Sequence, residues 1–290
     1  MKNKSFSICP LASGSKGNSV FVSTPKTAVL IDAGLSGVEI QRRLTMVGQT
    51  PEQLGAIIIT HEHSDHVQGA GILSRRFNIP VYITPKTYQA CKNLGKVEFL
   101  TFFECGNAFD IDDLQVVPFS ISHDACDPAG MTLACRGKKI GIATDLGIAT
   151  GLVKQHLKNC DLIYIESNHD SEMLINGPYP WHLKQRIKSR TGHLSNKDTR
   201  DLVSEILDLD LSENLKSDRV SGQKSDQNSD QKMNLKSGLK PVLKHVILAH
   251  LSEENNSPKK AAAEVRKGLN GCEIALYVAG PDHPGEMIKL

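Results

Sequence analysis

No apolar run in this 290-residue chain approaches the ~20 residues that a membrane-spanning helix needs. Charge of one sign is equally scarce. The net charge is +2 and the isoelectric point about 8.1. That balance does not announce a nucleic-acid binder, though it leaves room for a local basic groove. The seven cysteines (Cys9, Cys91, Cys105, Cys126, Cys135, Cys160 and Cys272) are odd in number, scattered, and form no CxxC pair. A disulfide framework is not expected, and a reducing cytoplasm fits. The basic start Met1-Lys2-Asn3-Lys4 leads only into a short apolar run broken by Ser7 and Pro10, so no signal peptide is read there. What is present is 39% apolar residues, enough to build a large core.

Strand-length apolar runs bounded by turn residues fill the first two thirds. They cover Ala28 to Ile31, Ala56 to Ile59, Pro80 to Ile83, Val97 to Phe103, Leu114 to Ile121, Leu133 to Cys135, Ile140 to Ala143 and Leu162 to Ile165, with Val242 to Leu248 later. Spacings of three and four predict helices over Val38–Val47, Asp65–Phe77, Ile148–Leu157, Lys184–Arg190, Asn196–Leu207 and Pro258–Leu269. Hairpins mixed with βα units predict layered sheets with helices outside. The segment 212–238 stands apart. It is rich in Ser, Asp, Lys, Gln and Asn, lacks aromatic residues, and repeats loosely as Lys216-Ser217-Asp218, Lys224-Ser225-Asp226 and Asn228-Ser229-Asp230. Such composition buries too little apolar surface to order itself, which predicts a disordered surface insertion.

The densest chemistry is Thr60-His61-Glu62-His63-Ser64-Asp65-His66, directly after an apolar strand. Imidazoles suit zinc and similar divalent ions, and a carboxylate adds an oxygen ligand. His61 and His63 are two apart, so an extended chain turns them to one side. These ligands are too many for one closed ion and too few for two, so others are expected from further strand ends. His123 follows Leu114–Ile121, Asp145 follows Ile140–Ala143, and His250 follows Val242–Leu248.

An HxHxDH run followed by His, Asp and His at strand ends resembles the metallo-β-lactamase superfamily. The likeness covers nearly the whole chain, from the Gly-rich loop Ser13–Asn18 to His250. It implies an α/β fold: an αββα four-layer sandwich of two mixed sheets packed face to face, as one domain over 1–290. By the same resemblance His61, His63 and His123 hold one metal, Asp65, His66 and His250 a second, and Asp145 bridges both. The expected cofactors are two divalent ions, zinc with manganese as the alternative.

The superfamily hosts many chemistries, so fold does not settle function. The β-lactamases proper usually carry Cys where Asp145 stands, and flavodiiron reductases carry Glu where His63 stands. Five local runs (Leu11–Asn18, His123–Pro128, Glu166–Asp170, Gly192–Asn196 and His250–Asn256) are similar to the bacterial YycJ-like branch, described as a 5′-to-3′ exonuclease. That resemblance implies a metal-dependent phosphodiesterase acting on nucleic acid, DNA rather than RNA, with Asp65 in the catalytic set. Nucleases of the superfamily pair a glutamate with a histidine to protonate the leaving oxygen, which points to Glu166 and His193, and a histidine suits that work. Helix capping is the bland reading of His193. Polar residues of these runs, Ser13, Ser15, Lys16, Asn18, Asn168, Ser252 and Asn255, are the expected substrate contacts. Tyr179, Trp181, His182, Lys184, Arg186, Lys188 and Arg190 form an aromatic and basic stretch able to bind a nucleic-acid backbone and stack a base. Its plain alternative is a solvated helix face around a buried Trp. Hydrolysis of a small phosphodiester, ester or thioester, or a non-catalytic metal-binding role, are the competing functions. His156, His169, His182, His245 and His283 otherwise read as ordinary polar positions.

Overall fold

The computed structural model describes residues 5–92, 94–221 and 241–290, apart from the side chains of 211–221. Two seven-stranded sheets carry the fold. The first runs in the order β14 (Ile288–Lys289), β1 (Ser7–Ala12), β2 (Ser19–Ser23), β3 (Ala28–Ile31), β4 (Ala56–Ile58), β5 (Val81–Ile83), β6 (Leu100–Phe102). The second runs β13 (Ala275–Val278), β12 (His245–Ala249), β11 (Leu162–Glu166), β10 (Lys138–Ala143), β9 (Ala129–Cys135), β8 (Leu114–Ser120), β7 (Phe109–Ile111). Each sheet is antiparallel over one half and parallel over the other. As a result β1, β3 and β4 share one direction, and so do β8, β10, β11 and β12 within the second sheet.

Strand alternation sorts the side chains into layers. Val29, Ile31 and Ile58 of the first sheet meet Leu162, Tyr164 and Ile247 of the second in a central core. Their neighbours Leu30 and Ile57 turn outward under α1 (Gly37–Met46) and α3 (Ala70–Phe77), against Ile40, Leu44 and Leu73. Ile163, Ile165, Val246 and Leu248 turn outward on the other side. There they pack under α5 (Gly151–Leu157), α8 (Asn196–Ser221) and α9 (Pro258–Gly268), against Val153, Val203, Ile206 and Val265. Strands buried on both faces are apolar without a break, as these are. Each fully buried Leu, Ile or Val contributes about 1.5–3 kcal/mol. The expected αββα sandwich is present.

Several elements depart from the periodicity. Asp65–Phe77 is two helices, α2 (Ser64–Val67) and α3. The break falls at Gly69, where a Cβ would stand 2.3 Å from the Leu35 carbonyl oxygen. The predicted helix Lys184–Arg190 starts earlier, as α7 (Trp181–Ile187), and Asn196–Leu207 continues to Ser221. The backbone of the first part of the polar segment 212–238 is therefore helical, and residues 222–240 lie outside the described residues. The periodicity passes over β1 and β2, which Ser, Pro and Gly interrupt, and the short helices α4 (Pro85–Ala90) and α6 (Ser171–Asn176). Among the described residues no helix is long and apolar enough to cross a membrane.

Candidate metal centre

All the strands that share a direction deliver polar residues to one rim, the carboxyl ends where α/β sheets place their sites. Asp32 follows β3, and His61, His63, Asp65 and His66 follow β4. His123 follows β8, Asp145 follows β10, Glu166 ends β11 and His250 follows β12. Sharp turns put them there. Asp32, Asp145 and His250 have φ of 62°, 56° and 52°, a left-handed conformation that non-glycine residues adopt mainly where the surroundings enforce it.

The side chains converge as the sequence predicts. His61, His63 and His123 form one group able to hold an ion, Asp65, His66 and His250 another, and Asp145 lies with His61 and His66 between them. His61 Nε2 is 3.1 Å from His63 Nδ1, which is 3.3 Å from His123 Nε2. Asp145 Oδ2 is 3.3 Å from His66 Nε2, and its Oδ1 is 3.5 Å from His250 Nδ1 and 3.9 Å from His123 Nε2. Asp65 Oδ2 lies 3.5 Å from His66 Nε2 and 3.8 Å from His250 Nε2.

A second ring of contacts sets the tautomers. Asp32 accepts from His66 Nδ1 at 2.7 Å, from the Thr60 hydroxyl at 2.8 Å and from the Thr60 N–H at 2.8 Å. The Thr60 hydroxyl, its proton committed to Asp32, accepts from His61 Nδ1 at 3.0 Å. One buried carboxylate thus turns Nε2 of both His61 and His66 toward the centre. A carboxylate behind a ligating histidine fixes ring orientation and raises basicity. Glu166 does the same for His250, accepting from its Nδ1 at 2.8 Å. Asp32 is the functional residue that sequence reasoning passed over, although it shares the strand-end position of the other site residues.

Charge divides the two groups. Burial pushes His61 and His123 below the ordinary imidazole range. Burial also opposes charge on His66 and His250, but Asp32 and Asp145 overcome it at His66, and Asp145, Asp65 and Glu166 lift His250 to about 10. Asp145 is held well below the carboxylate range: burial resists this, and the His250 and His66 imidazoles prevail.

The donor set fits a pair of divalent cations. His61 Nε2, His63 Nδ1 and His123 Nε2 converge with spacings of 3.1 and 3.3 Å, as three nitrogen ligands of one ion do. His250 Nε2 and Asp145 Oδ2 are buried without a hydrogen-bond partner. Five imidazoles and two carboxylates suit borderline divalent ions.

A consequence is measurable. The His61, His63, His123 group accepts an ion without giving up the protons of its buried rings, whereas His66 and His250 must each lose one. Loading the second ion at pH 7 is expected to release about two protons per chain, read by calorimetry in two buffers of different ionisation enthalpy. The sign follows from the raised pKa. In the metal-free protein the stabilisation from charged His250 is complete below the ordinary imidazole pKa and is lost as pH rises through about 10. Second-ion affinity runs the other way, rising with pH up to that value. Stoichiometric binding with no proton release contradicts the assignment.

Glu166 joins the metal cradle to its neighbour. Its Oε1 also accepts from His193 Nδ1 at 2.8 Å, and its Oε2 accepts from the Leu146 and Leu194 N–H groups at 2.9 and 3.0 Å. Burial works to raise the Glu166 pKa, but the His193 and His250 imidazoles bring it down to about 2. The same carboxylate raises His193 above its ordinary value against the opposing effect of burial. The His193 side chain is 22% exposed and His250 only 5%, so of Glu166's two partners His193 is the one that meets an incoming group. His193 caps no helix: α8 is capped by Ser195, whose Oγ accepts from the Asp198 N–H at 3.2 Å while Asp198 accepts from the Ser195 N–H at 3.0 Å.

Buried amides lock the loops behind these residues. Asn196 and Asn256 exchange side-chain hydrogen bonds at 2.9 Å, the Ser167 hydroxyl donates to Asn196 at 2.7 Å, and Asn256 donates to the Ser167 and Asn168 carbonyls. Three loops, bearing Glu166, His193 and His250, are fixed to one another. Most of the residues expected to touch substrate serve this framework. Ser13 Oγ accepts from the His250 N–H at 2.7 Å, Asn18 donates to Asp65 at 3.1 Å, and Asn168 donates to the His250 carbonyl at 2.9 Å. Asn255 is fully buried, and Ser252 accepts from its N–H at 3.1 Å. Ser15 and Lys16 are exposed, with Lys16 paired to Glu253 at 2.7 Å. His169, read as an ordinary polar position, is buried, and burial brings it down to about 4.

A family model described as a β-lactamase superfamily domain matches residues 27–207. The chain belongs to this superfamily and is a metal-dependent hydrolase, with His and Asp groups able to hold divalent ions. Among its relatives, exodeoxyribonuclease WalJ of Streptococcus pneumoniae is 42% identical over 203 residues, 68% of this chain and 76% of that one. Exodeoxyribonuclease YycJ of Bacillus anthracis is 32% identical over 262 residues, 89% and 87% of the two chains. The metallo-β-lactamase fold protein YhfI from Bacillus subtilis superposes with a TM-score of 0.65 over 96% of this chain and 99% of that one, at 13% identity, a likeness of fold.

Proposed function

We propose that this hydrolase is a phosphodiesterase that shortens polynucleotides from the 5′ end, DNA in preference to RNA. The observation that carries this reading is the Glu166–His193 pair at 2.8 Å beside a two-ion ligand set. A polynucleotide leaves through a poorly acidic sugar hydroxyl, which needs a proton, and this pair holds one where the leaving oxygen departs. The exodeoxyribonuclease names of the WalJ and YycJ relatives support the substrate class.

His61, His63 and His123 hold one ion, Asp65, His66 and His250 the other, and Asp145 lies between. Zinc is the proposed metal, with manganese as the alternative. When bound, the ions activate water at neutral pH and offset charge on the phosphoryl oxygens. The chain's own groups do the remainder. Asp32 and Glu166 hold the ligand rings, the amide lock keeps the three loops in register, and His193 delivers a proton from Nε2 to the leaving oxygen while Glu166 stabilises the imidazolium. Exposed Ser15 and Lys16, the latter released from Glu253, are the proposed contacts to substrate phosphate. The seven cysteines are all free, which suits a cytoplasmic protein.

The test is degradation of end-labelled single- and double-stranded DNA and RNA by metal-reconstituted protein, beside Asp65→Ala. Cleavage lost in the variant, with products shortened from the 5′ end, is the expected result. Absence of cleavage by protein carrying two ions moves the substrate to a small phosphodiester or thioester.

A further inference from the structure

The aromatic and basic stretch before His193 is not used by the metal centre. Its tryptophan, the only one in the chain, is not buried: Trp181 is 66% exposed at the start of α7, and Ile175 on α6 is 51% exposed. Exposing so large an apolar ring to water is unfavourable, and the scaffold beneath it is firm. Lys184 Nζ donates to the carbonyls of Ile175 and Gly177, both at 2.8 Å, tying α7 to the end of α6. Gly177 is wedged so closely that a Cβ would stand 2.4 Å from Asn255 Oδ1.

The far end of the same helix enters the active rim. The His193 N–H donates to the Ile187 carbonyl at 2.9 Å. Arg186 Nε donates to Asp124 at 2.7 Å, and that carboxylate lies 3.4 Å from His123 Nε2. A small cleft lined by Asp124, Leu183, Arg186, Ile187, Gly192 and His193 lies at this end. Trp181 stands six residues before Ile187, roughly 9 Å along the helix axis at 1.5 Å per residue. That is about three stacked bases of one strand at 3.4 Å each.

Charge selects the occupant. No Asp or Glu occurs between Glu172 and Asp198, whereas Lys184, Arg186, Lys188, Arg190 and Lys197 all fall there, in a chain whose net charge is only +2. Lys188 and Arg190 are exposed. An exposed indole on a helix tied to its neighbour, with exposed Lys188 and Arg190 just past the helix end and a phosphodiesterase site beyond, matches a stacked, anionic, single-stranded polymer. We infer that Trp181 is a stacking platform that holds a base of single-stranded nucleic acid a few nucleotides from the bond being cut, with Lys188 and Arg190 on its backbone. This rests on the nuclease reading and adds a binding site to it.

The single tryptophan makes the test direct. A non-cleavable phosphorothioate oligothymidylate, end-labelled, is titrated into metal-loaded protein while anisotropy reports binding and intrinsic fluorescence reports Trp181. Binding accompanied by quenching is expected. Trp181→Ala should weaken binding about tenfold or more, as loss of one base stack does. Trp181→Phe should retain most of the affinity. Hydrolysis of bis-p-nitrophenyl phosphate, too small to reach the platform, should be unchanged in both. Binding by anisotropy with unaltered fluorescence and wild-type affinity in Trp181→Ala overturns the platform and leaves the nuclease reading standing. No binding of any oligonucleotide removes the nuclease reading itself. Fluorescence that responds to protein concentration and not to oligonucleotide assigns the surface to a second copy of the chain, and also overturns the proposal.

Discussion

Asp145→Ala is expected to reduce hydrolysis at least ~10³-fold, a loss of about 4 kcal/mol of transition-state stabilisation of the size metal ions supply. The residue is 2% exposed, sits in a left-handed turn, and presents its carboxylate to His66, His123 and His250 together. Among the described residues no other carboxylate lies between the two ligand groups, so its removal is expected to affect both ions. Metal content should fall from two ions toward one, with the group His61, His63 and His123 retaining the first. Asp145→Asn keeps the shape and loses the charge, and it should resemble the alanine variant if the charge is what matters. Elemental analysis and a thermal melt, run beside the activity assay, separate lost metal from lost fold. Two tightly held ions and near-wild-type turnover in Asp145→Ala would falsify the bridging role.

His193→Ala is expected to leave both ions in place and lower kcat by roughly 10²–10⁴-fold, the ordinary contribution of a general acid. The loss should depend on the leaving group. A polynucleotide needs a proton on its departing sugar oxygen, whereas p-nitrophenolate departs without one, so bis-p-nitrophenyl phosphate should be hydrolysed nearly as well as by wild type. The pH profile gives a second signature. Because Glu166 raises the His193 pKa, wild-type activity on polynucleotide should fall on the alkaline side only above the ordinary imidazole range, and the variant should lose that limb. Equal losses on both substrates would mean that His193 serves the ions or the loop and is not the acid.

The candidate ligands were legible because imidazole is rare enough to stand out. His61, His63 and His66 announce themselves together, and His123, Asp145 and His250 gain weight from a shared position after apolar strands. Asp32 holds the same kind of position, after Ile31, but a lone aspartate before Ala33-Gly34 looks like an ordinary turn. The amide lock of Ser167, Asn196 and Asn256 was illegible for a related reason: its members are common loop residues, and their meaning lies in being buried together from loops far apart in sequence. The long apolar strands β8 and β11 were readable from composition. By contrast β1 and β2 are held by pairing with neighbours despite their Ser and Pro, so tertiary context overrides local preference there. Trp181 shows the same limit from the opposite side. An aromatic residue is ordinarily assigned to the interior, and only the fold shows it facing solvent.

Each of the two proposed ion positions draws on both sheets. The loop after β4 supplies His61 and His63 to one and Asp65 and His66 to the other, while His123 and His250 come from the ends of β8 and β12. The order of synthesis therefore governs when chemistry begins. A growing chain that has made β1 to β6 holds its dense histidine loop but lacks the partners across the seam. The last of these, His250, follows β12, which pairs between β11 and β13 only when nearly all of the chain has emerged. A chain that stops short of His250 therefore lacks a member of the candidate ligand set.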